Sequence, residues 1–278
     1  MIKSATGLKA KVRNISKGDS KIAQAMIRLY FMERFLERIS LSRYKNQFVL
    51  KGGMLVSSLI GITNRTTMDI DTTVRALPLS KDEIKGIIHE ICEVPMEDNI
   101  SFQIMDVETI MDEFDYPGIR IHIEACLEKL RQPIKIDIST DDVITPGAIE
   151  YRYPLLLEER DISLNTYNIE TLLAEKTQTI ISRGLANTRM RDFYDLYEIV
   201  EKLDFSLDTY RRAFESTCKK RETIFSKDKV LVELNNIAGS KEMEKMWNQF
   251  KSKNAFVEDI GYSEVIETIS EIVMKMCV

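Results

Sequence analysis

Two short stretches decide the fold, Phe48-Val49-Leu50-Lys51-Gly52-Gly53 and Arg65-Thr66-Thr67-Met68-Asp69-Ile70-Asp71. In the first, an apolar run meets a glycine pair and is followed by further apolar residues over 54–60, which predicts a strand, a glycine turn and a helix. In the second, polar and apolar residues alternate, which predicts a strand with both aspartates on one side. A glycine pair that opens a helix lets backbone N–H groups approach a phosphate.

Periodicity places further elements on both sides of these stretches. Spacings of three and four predict an amphipathic helical arm over Ser20–Leu41 and a helix over Lys81–Ile91. Alternation predicts strands at Phe102–Val107, Ile119–Ile123 and Ile134–Ile138. Beyond Pro154 the spacing is helical. The sequence thus predicts an α/β chain with one domain over residues 1–153 and a helical domain over residues 154–278.

A third carboxylate, Asp137, lies in the strand-like segment Ile134–Ile138 and shares a face with Lys135. A carboxylate among apolar strand residues is costly to bury unless it is paired or bound to a metal ion. Hard oxygen ligands suit magnesium, and two such ions can promote phosphoryl transfer. Asp69, Asp71 and Asp137 are therefore candidate ligands of two Mg²⁺ ions. The alternative is a solvated strand face that binds nothing.

A second polar constellation lies on predicted helices near the middle of the chain. Lys176 and Arg183 are seven residues apart and share a helix face, and Asp192 and Asp195 follow within Arg191-Asp192-Phe193-Tyr194-Asp195. The alternative is structural: a lysine on a solvated face, and two aspartates that cap a helix and pair with Arg191. The residues alone leave both interpretations open.

Composition limits the partners. The chain has 278 residues, 39 of them basic and 44 acidic, for a formal net charge of -5. Bulk charge therefore does not draw it to nucleic acid or to an anionic membrane, and a polyanion needs a local basic patch. No apolar run reaches the roughly 18 residues of a spanning helix, and residues 1–17 lack a secretory signal. A cytoplasmic location without a membrane partner is the expectation.

In this order, the motifs resemble the AbiEii nucleotidyltransferase toxin family of type IV toxin–antitoxin and abortive-infection systems, which is related to the MenT toxins. The resemblance covers roughly residues 20–203. It implies a DNA polymerase β-like nucleotidyltransferase core with a mixed sheet, an N-terminal helical arm and an all-helical C-terminal domain. In that core Gly52, Gly53, Asp69 and Asp71 begin the active site. Many members of the wider superfamily have Gly-Ser where this chain has Gly52-Gly53.

The resemblance also implies an activity. Related toxins transfer a nucleotide from an NTP to RNA, for some of them the 3′ acceptor end of tRNA, which blocks translation as an antiviral defence. It implies that Lys176, with Arg183, supports the triphosphate, and that a carboxylate of the Arg-Asp-Phe-Tyr-Asp segment is needed. Asp192 is the first choice for this carboxylate and Asp195 the other, with both in the nucleotide site. A separately encoded antitoxin is the implied partner.

Two other functions stay open from the sequence: transfer of the nucleotide to a protein or small molecule, and a catalytically silent module that binds an NTP or a partner. The four groups Asp69, Asp71, Asp137 and Lys176 speak against a silent module. For RNA contact the candidates are basic residues, which could also form a plain solvated surface. They are Arg189, Arg191, Arg211, Arg212, Lys219, Lys220, Arg221, Lys227 and Lys229.

Overall fold

The computed structural model of the chain describes residues 1–61, 67–77, 80–111, 117–140 and 142–277. These residues form a seven-stranded mixed sheet and ten α-helices, which confirms the predicted mixed α/β class. They divide into two compact units: the first comprises the described parts of 1–142 together with 149–166, and the second comprises 143–148 and 167–277. The domain boundary between residues 153 and 154 stays a prediction. Arg65 and Thr66 of the second deciding stretch lie outside the described residues.

All seven strands belong to the first unit. They are β1 (Phe48–Lys51), β2 (Asp69–Val74), β3 (Ile100–Met111), β4 (Pro117–Leu127), β5 (Leu130–Thr140), β6 (Ile149–Pro154) and β7 (Asp161–Thr166). The sheet order is β3-β4-β5-β2-β1-β7-β6. The pairs β2–β5 and β1–β7 are parallel, and the other neighbours are antiparallel. On one face the isoleucines are completely buried, as Ile70, Ile121 and Ile136 are.

Four helices complete the first unit: α1 (Ala5–Ser16), α2 (Ser20–Leu41), α3 (Gly52–Ile60) and α4 (Lys81–Cys92). The predicted helical arm is α2, which begins where the Asp19 carboxylate accepts hydrogen bonds from the amides of Lys21 and Ile22. Its apolar stripe packs on β5 and β7, and α4 packs on β3. The helices therefore cover the apolar face of the sheet.

The arm also carries buried charge. Arg38 donates to both carboxylate oxygens of Asp98 at 2.8 and 2.9 Å, which ties α2 to the chain just before β3. Glu33 accepts a hydrogen bond from the amide of Leu156 at 2.9 Å. Burial raises the pKa of Glu33 to about 8, so this side chain is mainly protonated at neutral pH.

The second unit is helical. Its elements are α5 (Ile169–Arg183), α6 (Met190–Lys202), α7 (Leu207–Lys220), α8 (Lys227–Ala238), α9 (Lys241–Lys253) and α10 (Tyr262–Met276). Asn168 caps α5 by accepting a hydrogen bond from the Thr171 amide at 2.7 Å. Between residues 167 and 277, all of which the structure describes, no strand occurs, which confirms the helical C-terminal part. No described helix has both the length and the apolar character needed to cross a membrane.

Three features differ from the sequence prediction. The hairpin β6–β7 is not predicted, and its second strand, at residues 161–166, corrects the prediction that the chain is helical from residue 154 on. The only apolar residues of that strand are Ile162 and Leu164, and both are buried in the core. The helices α1 and α8 are also not predicted. The glycine pair makes no separate turn: α3 starts at Gly52, immediately after β1.

Candidate active site

Opposite the buried isoleucines, the sheet carries a row of charged side chains at directly paired positions on five neighbouring strands. The row runs from Glu108 through Arg120, Asp137 and Asp71 to Lys51. Paired residues project to the same face, so these side chains lie side by side. One pleat away, Asp69 is paired with Lys135 on the same face. The predictions that Asp69 and Asp71 share a face, and that Lys135 and Asp137 share one, are confirmed.

The glycine pair is fitted to Asp71. Gly52 has a φ of +59°, and an added Cβ there would lie 2.6 Å from the carboxyl carbon of Asp71. The amide of Gly53 donates a hydrogen bond to Oδ2 of Asp71 at 3.1 Å. Only glycine combines this backbone conformation with so close an approach. The backbone N–H expected to approach a phosphate therefore contacts the carboxylate of the Asp-x-Asp motif in the ligand-free protein.

Asp137 is held by an arginine from the adjacent strand. Arg120 donates from Nε to Oδ1 and from Nη2 to Oδ2, both at 2.8 Å. These hydrogen bonds are the main reason that the pKa of Arg120 lies above its ordinary value, and the charges of Asp137, Asp69 and Glu108 raise it further. Glu108 also lies 4.0 Å from the guanidinium. Both oxygens of Asp137 are thus engaged.

Cations also flank the other two aspartates. The Nζ of Lys135 lies 3.4 Å from Oδ1 of Asp69. At the end of β1, Lys51 sits opposite Asp71 in the register and donates to Asp142 at 2.5 Å. The polar face therefore balances its carboxylates with lysines and an arginine from neighbouring strands.

The donor set suits a hard divalent cation. Three carboxylates from two adjacent strands face the same side, and carboxylate oxygens are the ligands that Mg²⁺ prefers. Oδ1 of Asp69 is buried and accepts no hydrogen bond from the described residues, and the Lys135 ammonium 3.4 Å away balances its charge. Within the described ranges, no three acidic, histidine or cysteine side chains already converge as a ligand set. Asp69 and Asp71 fit the ion, and Asp137 fits it through the lone pairs that Arg120 leaves open.

In the second unit, Lys176 lies between the two aspartates of the Arg-Asp-Phe-Tyr-Asp segment. Its Nζ is 2.8 Å from Oδ1 of Asp192 and 2.8 Å from Oδ2 of Asp195. The two carboxylates are one turn apart on α6 and face α5 together. Asp195 is completely buried, whereas the side chain of Asp192 is 19% exposed. A ligand can therefore reach Asp192, whereas the buried Asp195 holds Lys176 in place.

Two further features adjoin this cluster in the second unit. Arg183 ends α5, two turns after Lys176, and is half-buried. A cleft of about 600 Å³ lies at the start of α6 against α9, and it includes Asp192. Three cationic side chains line it, Arg189, Arg191 and Lys253, and the lining also includes the aromatic side chain of Phe250. Lys176 is therefore not a lysine on a solvated face, because its ammonium pairs with both aspartates.

Sequence reasoning missed Arg120. It occupies a polar position within Ile119-Arg120-Ile121, the same pattern that drew attention to Asp69 within Met68-Asp69-Ile70. The alternation alone could have marked it as a member of the polar face. Its partner could not be read, because the pairing of β4 with β5 sets it.

These features accord with the sequence comparisons. The family model described as "Nucleotidyl transferase AbiEii toxin, Type IV TA system" matches residues 34–269. The chain belongs to the AbiEii family. This membership confirms the resemblance drawn from the motifs and makes the AbiEii chain a nucleotidyl transfer enzyme of the toxin–antitoxin class, with an NTP as substrate and an antitoxin as the implied partner.

Solved structures support the fold. The AbiEii chain is similar to JHP933 from Helicobacter pylori, with a TM-score of 0.51, 17% identity, and coverage of 91% of this chain and 92% of that one. A nucleotidyltransferase-like protein from Paracoccidioides brasiliensis matches with a TM-score of 0.40 and 14% identity over 88% of this chain and 92% of its own. The second similarity is too distant to add to the argument. No curated protein sequence matches the chain.

Proposed function

We propose that this enzyme transfers a nucleotide from an NTP to the 3′-hydroxyl of RNA, with the acceptor end of tRNA as the substrate class, and so blocks translation. The observation that carries the proposal is the charged row, in which Asp71 and Asp137 stand opposite each other with Asp69 one pleat away. In the reaction a bond forms between the 3′-oxygen and the α-phosphorus, and the proton of the 3′-hydroxyl leaves to solvent with the help of Asp137. The bond from that phosphorus to the bridging oxygen of pyrophosphate breaks.

Asp69, Asp71 and Asp137 are the residues that would hold two Mg²⁺ ions. Bound Mg²⁺ supplies positive charge that stabilises the attacking and leaving oxygens of such a transfer. Gly53 keeps Asp71 in place through its amide, and Gly52 leaves room for the carboxylate to approach the start of α3. The aspartates and the glycine pair thus act as one unit.

Lys176, with Arg183, is proposed to neutralise negative charge on the β- and γ-phosphates. Lys176 is oriented by two carboxylates at 2.8 Å, which fixes a flexible side chain before the nucleotide binds. Because Asp192 is partly exposed and Asp195 is buried, Asp192 is the carboxylate proposed to contact the nucleotide. Asp195 positions the lysine.

RNA is proposed to bind the cleft at the start of α6. Its cations Arg189, Arg191 and Lys253 give an acidic protein a local positive surface, and Phe250 offers an aromatic surface on which a base can stack. Within the predicted basic cluster, Arg211 donates to the backbone oxygen of Met276, so part of that cluster serves the fold. The exposed members Arg212, Lys219, Lys227 and Lys229 extend the proposed RNA surface.

The proposed biological setting is phage defence by abortive infection in the cytoplasm, where NTPs and tRNA are abundant, with a separately encoded antitoxin as the regulator. The family description supports the toxin–antitoxin part of this setting.

The test is incubation of the purified protein with Mg²⁺, each radiolabelled NTP in turn and total RNA, followed by gel separation. Asp69→Ala is the site variant. Asp106→Ala is the matched control, because Asp106 is an exposed aspartate of β3 on the same face of the sheet. Label on a tRNA-sized band with wild type and Asp106→Ala, and none with Asp69→Ala, supports the proposal. Label on protein instead of RNA would establish a protein acceptor, and label on neither would favour a silent NTP-binding module.

A further inference from the structure

Arg120 and Asp137 form a bidentate ion pair between two strands that the sheet already joins. Two parallel hydrogen bonds of 2.8 Å fix the plane of the Asp137 carboxylate, which a lysine could not do. The strands β4 and β5 are already joined by a continuous antiparallel ladder from Ile119 to Leu127, with buried isoleucines beneath it. The side chains of Arg120 and Asp137 are 31% and 21% exposed, so solvent and dissolved ions can reach the pair.

The pair of Arg120 and Asp137 helps to balance the negative charge of the row. Asp69, Asp71 and Asp137 would repel one another on one face of a sheet, and Arg120 and Lys135 offset two of these three charges. Arg120 uses one lone pair on each oxygen of Asp137, so a divalent cation at Asp137 would bind the remaining lone pairs beside the positive guanidinium and be repelled by it. The guanidinium and a metal ion therefore compete for the same carboxylate.

We propose that Arg120 is a positioning residue that holds Asp137 in the metal-free protein and weakens the binding of a divalent cation until nucleotide arrives. The inference rests on the proposed function, since it takes Asp137 to be a metal ligand. A triphosphate brings negative charge that compensates Arg120, so nucleotide and metal bind cooperatively. Without nucleotide, the two hydrogen bonds from Arg120 keep the Asp137 carboxylate in one orientation and paired with the guanidinium.

The probe is Mn²⁺ alone, with free Mn²⁺ followed by electron paramagnetic resonance in the absence of nucleotide and RNA. Arg120→Ala removes one positive charge, and at a separation of about 6 Å in a water-like dielectric this tightens Mn²⁺ binding about tenfold. Arg120→Gln keeps a hydrogen-bond donor without the charge and should tighten binding similarly. It also provides a second variant if the alanine protein does not fold, as judged by circular dichroism.

Arg131→Ala is the matched control. Arg131 also pairs with a carboxylate across β4 and β5, at 2.6 Å from Glu124, but it lies six residues along β5 from Asp137, about 20 Å away. Its removal should leave Mn²⁺ affinity within twofold of wild type. In an Asp137→Asn background, Arg120→Ala should tighten Mn²⁺ binding less than it does with Asp137 present, because the ion is then held by Asp69 and Asp71 and no longer lies beside the guanidinium.

Unchanged or weaker Mn²⁺ binding in both Arg120 variants would overturn the inference, as would an equally large gain in the Asp137→Asn background. These outcomes are separate from the labelling experiment. Wild type that transfers nucleotide to RNA, together with Arg120 variants of unaltered Mn²⁺ affinity, would leave the proposed function standing and remove the role of Arg120. Wild type that labels nothing would remove the function, while tighter Mn²⁺ binding in the variants would still show that Arg120 competes for Asp137.

Discussion

The glycine pair yields the sharpest prediction, because Gly52→Ala adds one carbon atom at a position where two costs can be worked out. The backbone of Gly52 has a φ of +59°, a region that costs an L-residue roughly 1–2 kcal/mol. The new Cβ would lie 2.6 Å from the carboxyl carbon of Asp71, where ordinary contact begins at 3.4 Å. Asp71 or the start of α3 must therefore move by nearly 1 Å.

The two costs have different consequences. A loss of about 2 kcal/mol is small against the roughly 5–15 kcal/mol that stabilise a folded domain, so the variant should remain folded. Its melting temperature should fall by about 4–8 °C. A displacement of about 1 Å in a reacting group costs about 100-fold in rate, so nucleotide transfer should fall by about two orders of magnitude. Activity should therefore suffer far more than stability.

The assay compares initial rates of label incorporation and melting temperatures for wild type, Gly52→Ala and Gly86→Ala. Gly86 lies within α4, where an added Cβ meets nothing within 4 Å. There alanine should stabilise the helix by about 1 kcal/mol and leave the rate unchanged. A Gly52→Ala protein with a rate within threefold of wild type would refute the argument that this glycine makes room for Asp71. So would a rate loss matched by loss of the fold.

Two further predictions concern carboxylates, the pair that contacts Lys176 and the buried Glu33. Asp195→Asn should lower the free energy of unfolding by about 3 kcal/mol, because it breaks a buried pair with Lys176. Asp192→Asn should lower it by less than about 1 kcal/mol yet reduce nucleotide transfer at least about 100-fold. Urea unfolding and the labelling assay separate these effects, and equal losses of stability would contradict the assignment. The pKa of Glu33 is raised to about 8 in the folded protein, so the unfolded chain releases this proton at lower pH. The free energy of unfolding should therefore fall as pH rises from about 4.5 to 8. In Glu33→Gln the dependence of stability on pH should flatten over this range, and an unchanged dependence would refute the assignment to Glu33.

Periodicity within one element was enough for much of the fold. The residues of α2 repeat at three and four over 22 residues, and the helix runs from Ser20 to Leu41 as the spacing predicts. The hairpin β6–β7 was out of reach, because its strands of six residues each hold few apolar positions and depend on their neighbours in the sheet. The spacing of apolar residues, more than length, therefore decided which elements the sequence could show, since β2 also has only six residues and is predicted.

At the candidate site, the sequence could show which face a residue occupies but not what lies beside it. Alternation along β2 places Asp69 and Asp71 on the polar face whatever strand comes next. Pairing β2 and β5 two residues out of the observed register would keep every side chain on its face, yet would set Asp71 opposite Lys135 instead of Asp137. The same carboxylate would then be half of an ion pair rather than one of two facing carboxylates.

The chemistry of the row is thus a property of register, which is set by contacts between strands that are far apart in the chain. β2 ends at Val74 and β5 begins at Leu130, but their paired residues, Asp71 and Asp137, are neighbours. For the same reason Arg120 looked like one more polar residue among isoleucines. Once β4 lies against β5, the Arg120 guanidinium donates two hydrogen bonds to Asp137, so a carboxylate expected to be a metal ligand is also the partner of an arginine.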